Sequence, residues 1–269
     1  MGTSKSFTTP SGGSWTPLKN DLSNFLSGNS DFSPEHLVGS TIAAAGLGLS
    51  RLSASTGGGG ARPGAGGSLG RGARRSSARA VGGSLAGLAG FGSAVQADGL
   101  TQALERFDLG DLRDRSAAEI IARLAERLAL DADGPQKEVI TAALMAAIFE
   151  AAQIQGDESY DDLETALEQF LASRGIDGLI EVFLCRCVYD GIWFAIEQHI
   201  GMKSDTNTDV RTLALAVESS CRAEVRAAIK EHQDLGTFER TNWFGTAGQR
   251  VARGIVKDLD DRLRALRED

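Results

Sequence analysis

Apolar positions along the chain recur at spacings of three and four rather than two. The last such run starts at Thr246 and carries Val251, Ile255, Leu259, Leu263 and Leu266, one face of a long helix. Moving back along the chain, a helix is predicted from about Thr208 to His232, and another over Ile176 to Ile200. The latter is apolar nearly all round, with Val182, Phe183, Leu184, Trp193, Phe194 and Ile196, and so predicts the central helix of a bundle. Ser159 to Ser173 places Leu163, Leu167, Phe170 and Leu171 on one face and is closed by Gly175. Gly134-Pro135 opens a helix with Val139, Ile140, Leu144, Ile148 and Phe149 inward, and Gly156 follows its apolar run. Ser116 to Glu119 has the spacing of a capping box, ahead of Ile120, Ile121, Leu124 and Leu128. A short helix after Gln96 carries Leu100, Leu104 and Phe107.

The first third is weaker in pattern. Leu18, Leu22, Phe25 and Leu26 fit one short amphipathic helix ended by Gly28. Ser33-Pro34 starts another, with Leu37, Val38, Ile42, Leu47 and Leu49, although Gly39, Gly46 and Gly48 weaken it. Glycines crowd the stretch from Gly57 to Gly72. No Gly-Lys-Ser/Thr follows them, no strand precedes them, and no spacing gives a dinucleotide fingerprint, so they predict a linker and not a phosphate loop. A helix is predicted from about Ser76, with Ala80, Val81 and Leu85 as its apolar stripe. The expected fold is therefore all-α. Residues 1–17 form a flexible tail, 18–56 short helices, 57–75 a Gly/Arg-rich linker and 76–269 a helical bundle, from which strand-like alternation is absent.

Charge divides the chain in the same way. Up to Val95 there are eight Lys/Arg and three Asp/Glu, a net +5; the remainder has 20 and 33, a net −13. Arg71, Arg74, Arg75 and Arg79 form the densest basic segment. They can pair with an acidic partner, with a nucleic acid, or with the acidic body of this chain, and there are no aromatics among them to stack on bases. Three cysteines, without a secretory or membrane-spanning segment, imply a reducing, cytoplasmic setting with no membrane association.

Candidate chemistry in the body is sparse. Cys185 and Cys187 are two apart on a helix and so point roughly 200° from each other. His199 shares the Cys185 face but lies ~21 Å further along the helix, too far to complete a metal site with it. Cys221 reads as a small buried hydrophobe, and His36 and His232 have no nucleophile or carboxylate at a suggestive spacing. Asp157, Glu158, Asp161 and Asp162 sit at a helix start, where acidic residues are favourable anyway. No catalytic residue, metal site or bound cofactor is expected, and the chain reads as a non-enzyme.

The amino-terminal stretch is different. Met1 to Pro17 is polar apart from Phe7 and Trp15, and Gly12-Gly13, Pro10 and Pro17 oppose regular structure. Gly2 is small enough for Met1 to be removed, which leaves a glycine amine. Its pKa near ~8, against ~10.4 for a lysine such as Lys5, makes it the better nucleophile at neutral pH.

The opening Met1-Gly2-Thr3-Ser4-Lys5-Ser6-Phe7, with Pro10 and Gly12-Gly13 behind it, resembles the QatB family of bacterial Qat anti-phage defence systems. The resemblance resumes over Gly66 to Ala97, a Gly/Ser/Arg/Ala segment. It runs through Asp98-Gly99-Leu100, Ala103-Leu104, Asp108-Leu109-Gly110 and Ala118-Glu119-Ile120. It then covers Leu163 to about Ile229, including Leu179 to Leu184 and Tyr189-Asp190-Gly191. Leu18 to Thr56 and the region after Gln233 carry no match, and Thr8-Thr9 stands where the family often has glycines.

The resemblance implies a component that works beside an ATPase, a QueC-like enzyme and a TatD-like nuclease. QueC-like enzymes activate a carboxyl-deazaguanine with ATP, and in defence systems transfer it to the amino-terminal glycine of a partner. On this chain the acceptor would be Gly2, and Thr3, Ser4, Lys5, Ser6 and Phe7 the tail read by the enzyme. ATP and the 7-deazaguanine precursor would belong to that enzyme. Three alternatives remain: N-myristoylation on the Met-Gly-x-x-x-Ser pattern at Gly2 and Ser6, a nucleic-acid-binding adaptor using the arginine segment, and an unmodified scaffold.

Overall fold

Two long helices, α3 (Arg71–Arg106) and α6 (Tyr160–Ile200), carry the centre of the fold. The computed structural model describes residues 15–26, 33–45, 71–132, 135–155, 158–200, 207–234 and 236–266. Among these the structure is all-α and contains no strand. The other helices are α1 (Trp15–Leu26), α2 (Pro34–Ala45), α4 (Ala117–Leu128), α5 (Pro135–Ala152), α7 (Asn207–Asp234), α8 (Thr237–Arg240) and α9 (Thr246–Ala265). A 3-10 turn at Gly110–Leu112 precedes α4.

The apolar stripes read from the sequence meet in one core. Leu85, Leu88 and Phe91 of α3, Leu163, Leu167 and Phe183 of α6, and Ile255, Leu259 and Leu263 of α9 are all buried. α6 packs against α5, α3 and α7, as expected of a helix apolar nearly all round, while α9 lies along α3 and α7. Ser116 caps α4, its hydroxyl accepting from the Glu119 amide at 3.3 Å, which is one half of the expected capping box. A second, at Ser159, is reciprocal: the Ser159 amide donates to Asp162 at 3.0 Å, and the Asp162 amide donates to the Ser159 hydroxyl at 3.3 Å.

Several expected boundaries shift. α1 begins at Trp15, inside the stretch expected to resist regular structure, because Pro17 falls in the first turn, where its missing N–H is not needed. α3 begins at Arg71, so residues 71–75 of the expected linker are helical. Packing also joins α2, which lies before the expected bundle of residues 76–269, to that bundle. Leu37, Val38 and Ile42 are buried, and α2 packs on α7, α9 and α6. α1 is tied to α2 by the Ser40 hydroxyl, which donates to Asp21 at 2.6 Å. Leu47, Leu49, Gly156 and most of the glycine stretch lie outside the described residues, as do residues 1–14.

Both long helices are broken once, at glycines in backbone conformations closed to other residues. Gly99 has φ 81° and ψ 171°; Gly175 has φ 67° and ψ −174°. Gly175 is the residue expected to close the helix before Ile176. The breaks are capped from across the α3–α6 interface. The Leu100 amide, just past the first break, donates to Glu164 at 3.2 Å, and the Gln96 side chain donates to the Leu171 carbonyl, just before the second, at 3.0 Å.

Cys185, Cys187 and Cys221 are free thiols buried in this core. Burial pushes the Cys185 thiol up to about 12, with the Arg222 guanidinium opposing it, and raises the other two further still. Two expectations follow. Gly99→Ala and Gly175→Ala should each destabilise the fold by about 1–3 kcal/mol. Gly175→Ala should cost more, since its new Cβ would lie 2.5 Å from Asp177 Oδ1. Urea midpoints read by circular dichroism check this, and an unchanged midpoint at either position would refute the assigned conformation. All three thiols should resist iodoacetamide in native protein at pH 8 and react fully in denaturant; mass spectrometry counts the adducts.

Candidate functional site

The sequence placed its candidate chemistry at two places, and the structure speaks to one of them. Gly2, Thr3, Ser4, Lys5, Ser6 and Phe7 lie outside the described residues. Arg71, Arg74, Arg75 and Arg79 all fall on the first turns of α3, and Arg79 is exposed. Helical geometry puts these four positions on one side of α3, which a linker would not have done.

His36 and His232 do have carboxylate partners, although their sequence spacing gives none. His232 on α7 lies 2.8 Å from Asp258 on α9, and His36 on α2 lies 3.6 Å from Asp21 on α1. Both partners come from a packed neighbour, so spacing along one helix had no means of revealing them. Among the described residues, no group of three or more His, Cys, Asp or Glu side chains is placed to hold a metal ion. No described helix is long and apolar enough to cross a membrane.

The densest charge in the described body is a network across α5, α6 and α7 that sequence reasoning missed. Glu150 on α5 accepts from Arg186 Nε at 2.8 Å and from Arg222 Nη2 at 3.3 Å. Arg222 also reaches Glu218 at 3.2 Å, one turn before it on α7. Glu181 on α6 collects Arg226 at 2.9 Å, Arg174 at 3.3 Å and Arg222 at 3.8 Å. Partial burial disfavours the charged form of Arg186, but the hydrogen bond and charge of Glu150 outweigh it and raise its pKa above the usual value. Arg222 is raised against the same opposition from burial, by the charge of Cys185 once that is a thiolate and by the hydrogen bond and charge of Glu150. Only the i,i+4 pair Glu218–Arg222 was legible in the sequence; Arg174 and Glu181 stand on either side of the Gly175 break, and the remaining partners are tens of residues apart.

Two shallow grooves flank this network and share Arg174, whose guanidinium lies 5.3 Å from the Phe170 ring centroid. The larger, about 490 Å³, runs between the end of α5 and α6 past Gln153, Gln169 and Ser173. The smaller, about 310 Å³, lies between α6 and α7. The arginines here are committed to carboxylates, so the arrangement holds three helices in register and presents no nucleophile paired with a base.

A third feature is the turn between α8 and α9. Trp243 is buried against Phe238, at 5.7 Å between ring centroids, whereas Phe244 beside it is 48% exposed. The Asn242 side chain accepts from the Phe244 amide at 3.1 Å, which fixes the turn. Arg106 of α3 lies over the Phe244 ring at 5.4 Å.

Comparison with known proteins gives one family. The family described as Qat anti-phage system associated protein QatB matches residues 66–246, more than half of the chain, from just before α3 to the first residue of α9. No curated protein and no solved structure matches. The match spans both broken helices, the α5–α6–α7 charge network and the Trp243-Phe244 turn, and the chain belongs to the QatB family of the Qat anti-phage system.

Proposed function

We propose that this component of an anti-phage defence system is a non-catalytic acceptor. Gly2, exposed by removal of Met1, takes a 7-deazaguanine from a QueC-like partner that uses ATP. The observation that carries this reading is the opening Met1-Gly2-Thr3-Ser4-Lys5-Ser6-Phe7, found on a chain of this family. The chemistry is acyl transfer. The glycine nitrogen attacks the carboxyl carbon that the partner has activated with ATP. The C–N bond forms, the activating group leaves with the C–O electron pair, and the amine gives up its proton to yield an amide.

The choice of nitrogen follows from pKa and shape. A glycine amine near ~8 is far more deprotonated at neutral pH than Lys5 near ~10.4. Without a Cβ it also approaches an activated carboxyl in a narrow site with little steric cost. Reach supports the reading as well. The buried Leu18 and Leu22 hold α1 against α2, so residues 2–14 precede the described body. Thirteen extended residues would span ~45 Å, enough to thread Thr3 to Phe7 into a neighbouring enzyme while the body docks elsewhere on it. The scaffold and N-myristoyl readings predict different masses at the same terminus.

The test is intact and peptide mass analysis of protein co-expressed with its QueC-like partner. The expected result is Met1 loss with the base amide-linked to the Gly2 peptide. Gly2→Leu should retain Met1 and lose the adduct with an unchanged circular dichroism spectrum, while Lys5→Arg should keep it. An adduct on Lys5, or one that survives Gly2→Leu, refutes the mechanism. Met1 loss with no adduct leaves the scaffold reading.

A further inference from the structure

Arginines of the described body are generally ion-paired, as Arg115, Arg174, Arg186, Arg222, Arg262 and Arg264 illustrate. Arg79, Arg113, Arg211, Arg240, Arg250 and Arg253 form no ion pair among the described residues, and of these Arg79, Arg250 and Arg253 lie along the contact of α3 with α9. These three are exposed, and Arg253 donates to Gln249 at 3.3 Å. They stand together because of how α3 meets α9. The two helices run antiparallel, with Gly82 opposite Arg253 and Gly90 opposite Phe244. A Cβ at Gly82 would lie 3.0 Å from Arg253 Cγ and 3.5 Å from its Cα, and one at Gly90 would lie 3.4 Å from Phe244 Cε1.

Arg79 is one turn before Gly82 on α3, and Arg250 is one turn before Arg253 on α9. Each step is ~5 Å, so the three exposed arginine positions fall within ~10 Å along the seam, with the Asp131 carboxylate against Gly83 beside them. Phe244 lies ~12 Å along the seam from the Gly82 crossing, eight residues up α3. Its ring rests on the Gly90 backbone, 5.9 Å from Phe107 and under the Arg106 guanidinium, which Asp98 neutralises. The Asn242 turn and the buried Trp243 hold it there.

We propose that this α3–α9 seam binds single-stranded nucleic acid, with Arg79, Arg250 and Arg253 on phosphates and Phe244 against a base. Unpaired guanidiniums beside an exposed, pinned aromatic match the two elements such strands use, backbone charge and base faces. A duplex keeps its bases stacked away from Phe244. An acidic protein would satisfy the arginines and leave the ring unused. With a net charge of −8, the chain exerts no long-range pull on a polyanion, so binding rests on these local contacts.

The test is fluorescence anisotropy of the full chain with a labelled oligothymidylate of ~15 nucleotides over ~50–200 mM salt. The triple variant R79Q/R250Q/R253Q should flatten the slope of log K against log salt by about 2, the value for three single-strand phosphate contacts. Phe244→Leu, which keeps an apolar cover on Gly90, should weaken binding about fivefold or more and leave the slope unchanged. Both variants should keep the wild-type circular dichroism spectrum and melting temperature. The proposal fails if wild type does not bind at low salt, or if the triple variant keeps its slope. It also fails if a matched duplex binds equally and Phe244→Leu has no effect, or if polyglutamate competes as well as the oligonucleotide, which would reassign the seam to an acidic protein.

Discussion

The α3–α6 interface holds because each helix supplies what the other lacks. A break at a glycine frees backbone groups that a continuous helix would have paired. Left buried and unpartnered, each would cost about 1–3 kcal/mol. At Gly99 the exposed donor is the Leu100 amide, and Glu164 of α6 accepts it. At Gly175 the exposed acceptor is the Leu171 carbonyl, and Gln96 of α3 donates to it. Gly92, between the two contacts, lets the helices close. A Cβ there would sit 3.2 Å from Leu179 Cδ2 and 3.4 Å from Leu171 Cδ2. Each break is thus capped by a side chain of the other helix. The rest is arranged around the pair, α9 along α3, and α5 and α7 on α6.

The α5–α6–α7 network solves a second problem on the same frame. α6 and α7 bring four arginines to one side, and unpaired they would repel one another. Glu150 and Glu181 each take more than one guanidinium, and Glu218 supports Arg222 from within α7. Partly buried pairs gain little net stability when whole, because desolvation offsets attraction, but lose much when one partner goes. The network therefore acts more as a register pin than as a source of stability. It fixes α7 on α6, and through α7 the contacts to α2 and α9.

Local signals in the sequence were sound where local physics decides. The cap at Ser116, the stripe of α9 and the stop at Gly175 each depend on residues within one or two turns, and each is found. Boundaries moved where packing overrides propensity. The α3 helix runs through Gly82, Gly83 and Gly87, a poor helical sequence, because those glycines sit where Arg253, Asp131 and Leu128 come close. The small α8 helix and the Trp243 turn have no periodicity to announce them. Polar contacts such as Arg186–Glu150 and His232–Asp258 join residues that only the fold brings near. Of the proposed sites, Gly2 stood out through amine chemistry and family resemblance alone and lies outside the described residues. The α3–α9 arginines were half legible: Arg79 stood out in a basic run, whereas Arg250 and Arg253 looked like any solvated helical face.

The burial of the thiols bears on the proposed acceptor chemistry. An activated carboxyl does not discriminate by design; it reacts with whatever competent nucleophile it meets first. A cysteine near its ordinary pKa would outrun an amine, since even a few per cent of thiolate is highly nucleophilic. In this body all three cysteines are enclosed by the core, and burial holds their thiols far above neutral pH. They are denied both ionisation and access. Lysines remain accessible, Lys257 for one, but hydrogen bonding and attraction to Asp261 hold its ammonium charged above the usual lysine range. If acyl transfer to this chain takes place at the Gly2 amine, the body favours it in two ways: its thiols are shut away from the reagent, and Lys257 is held in the protonated, unreactive form.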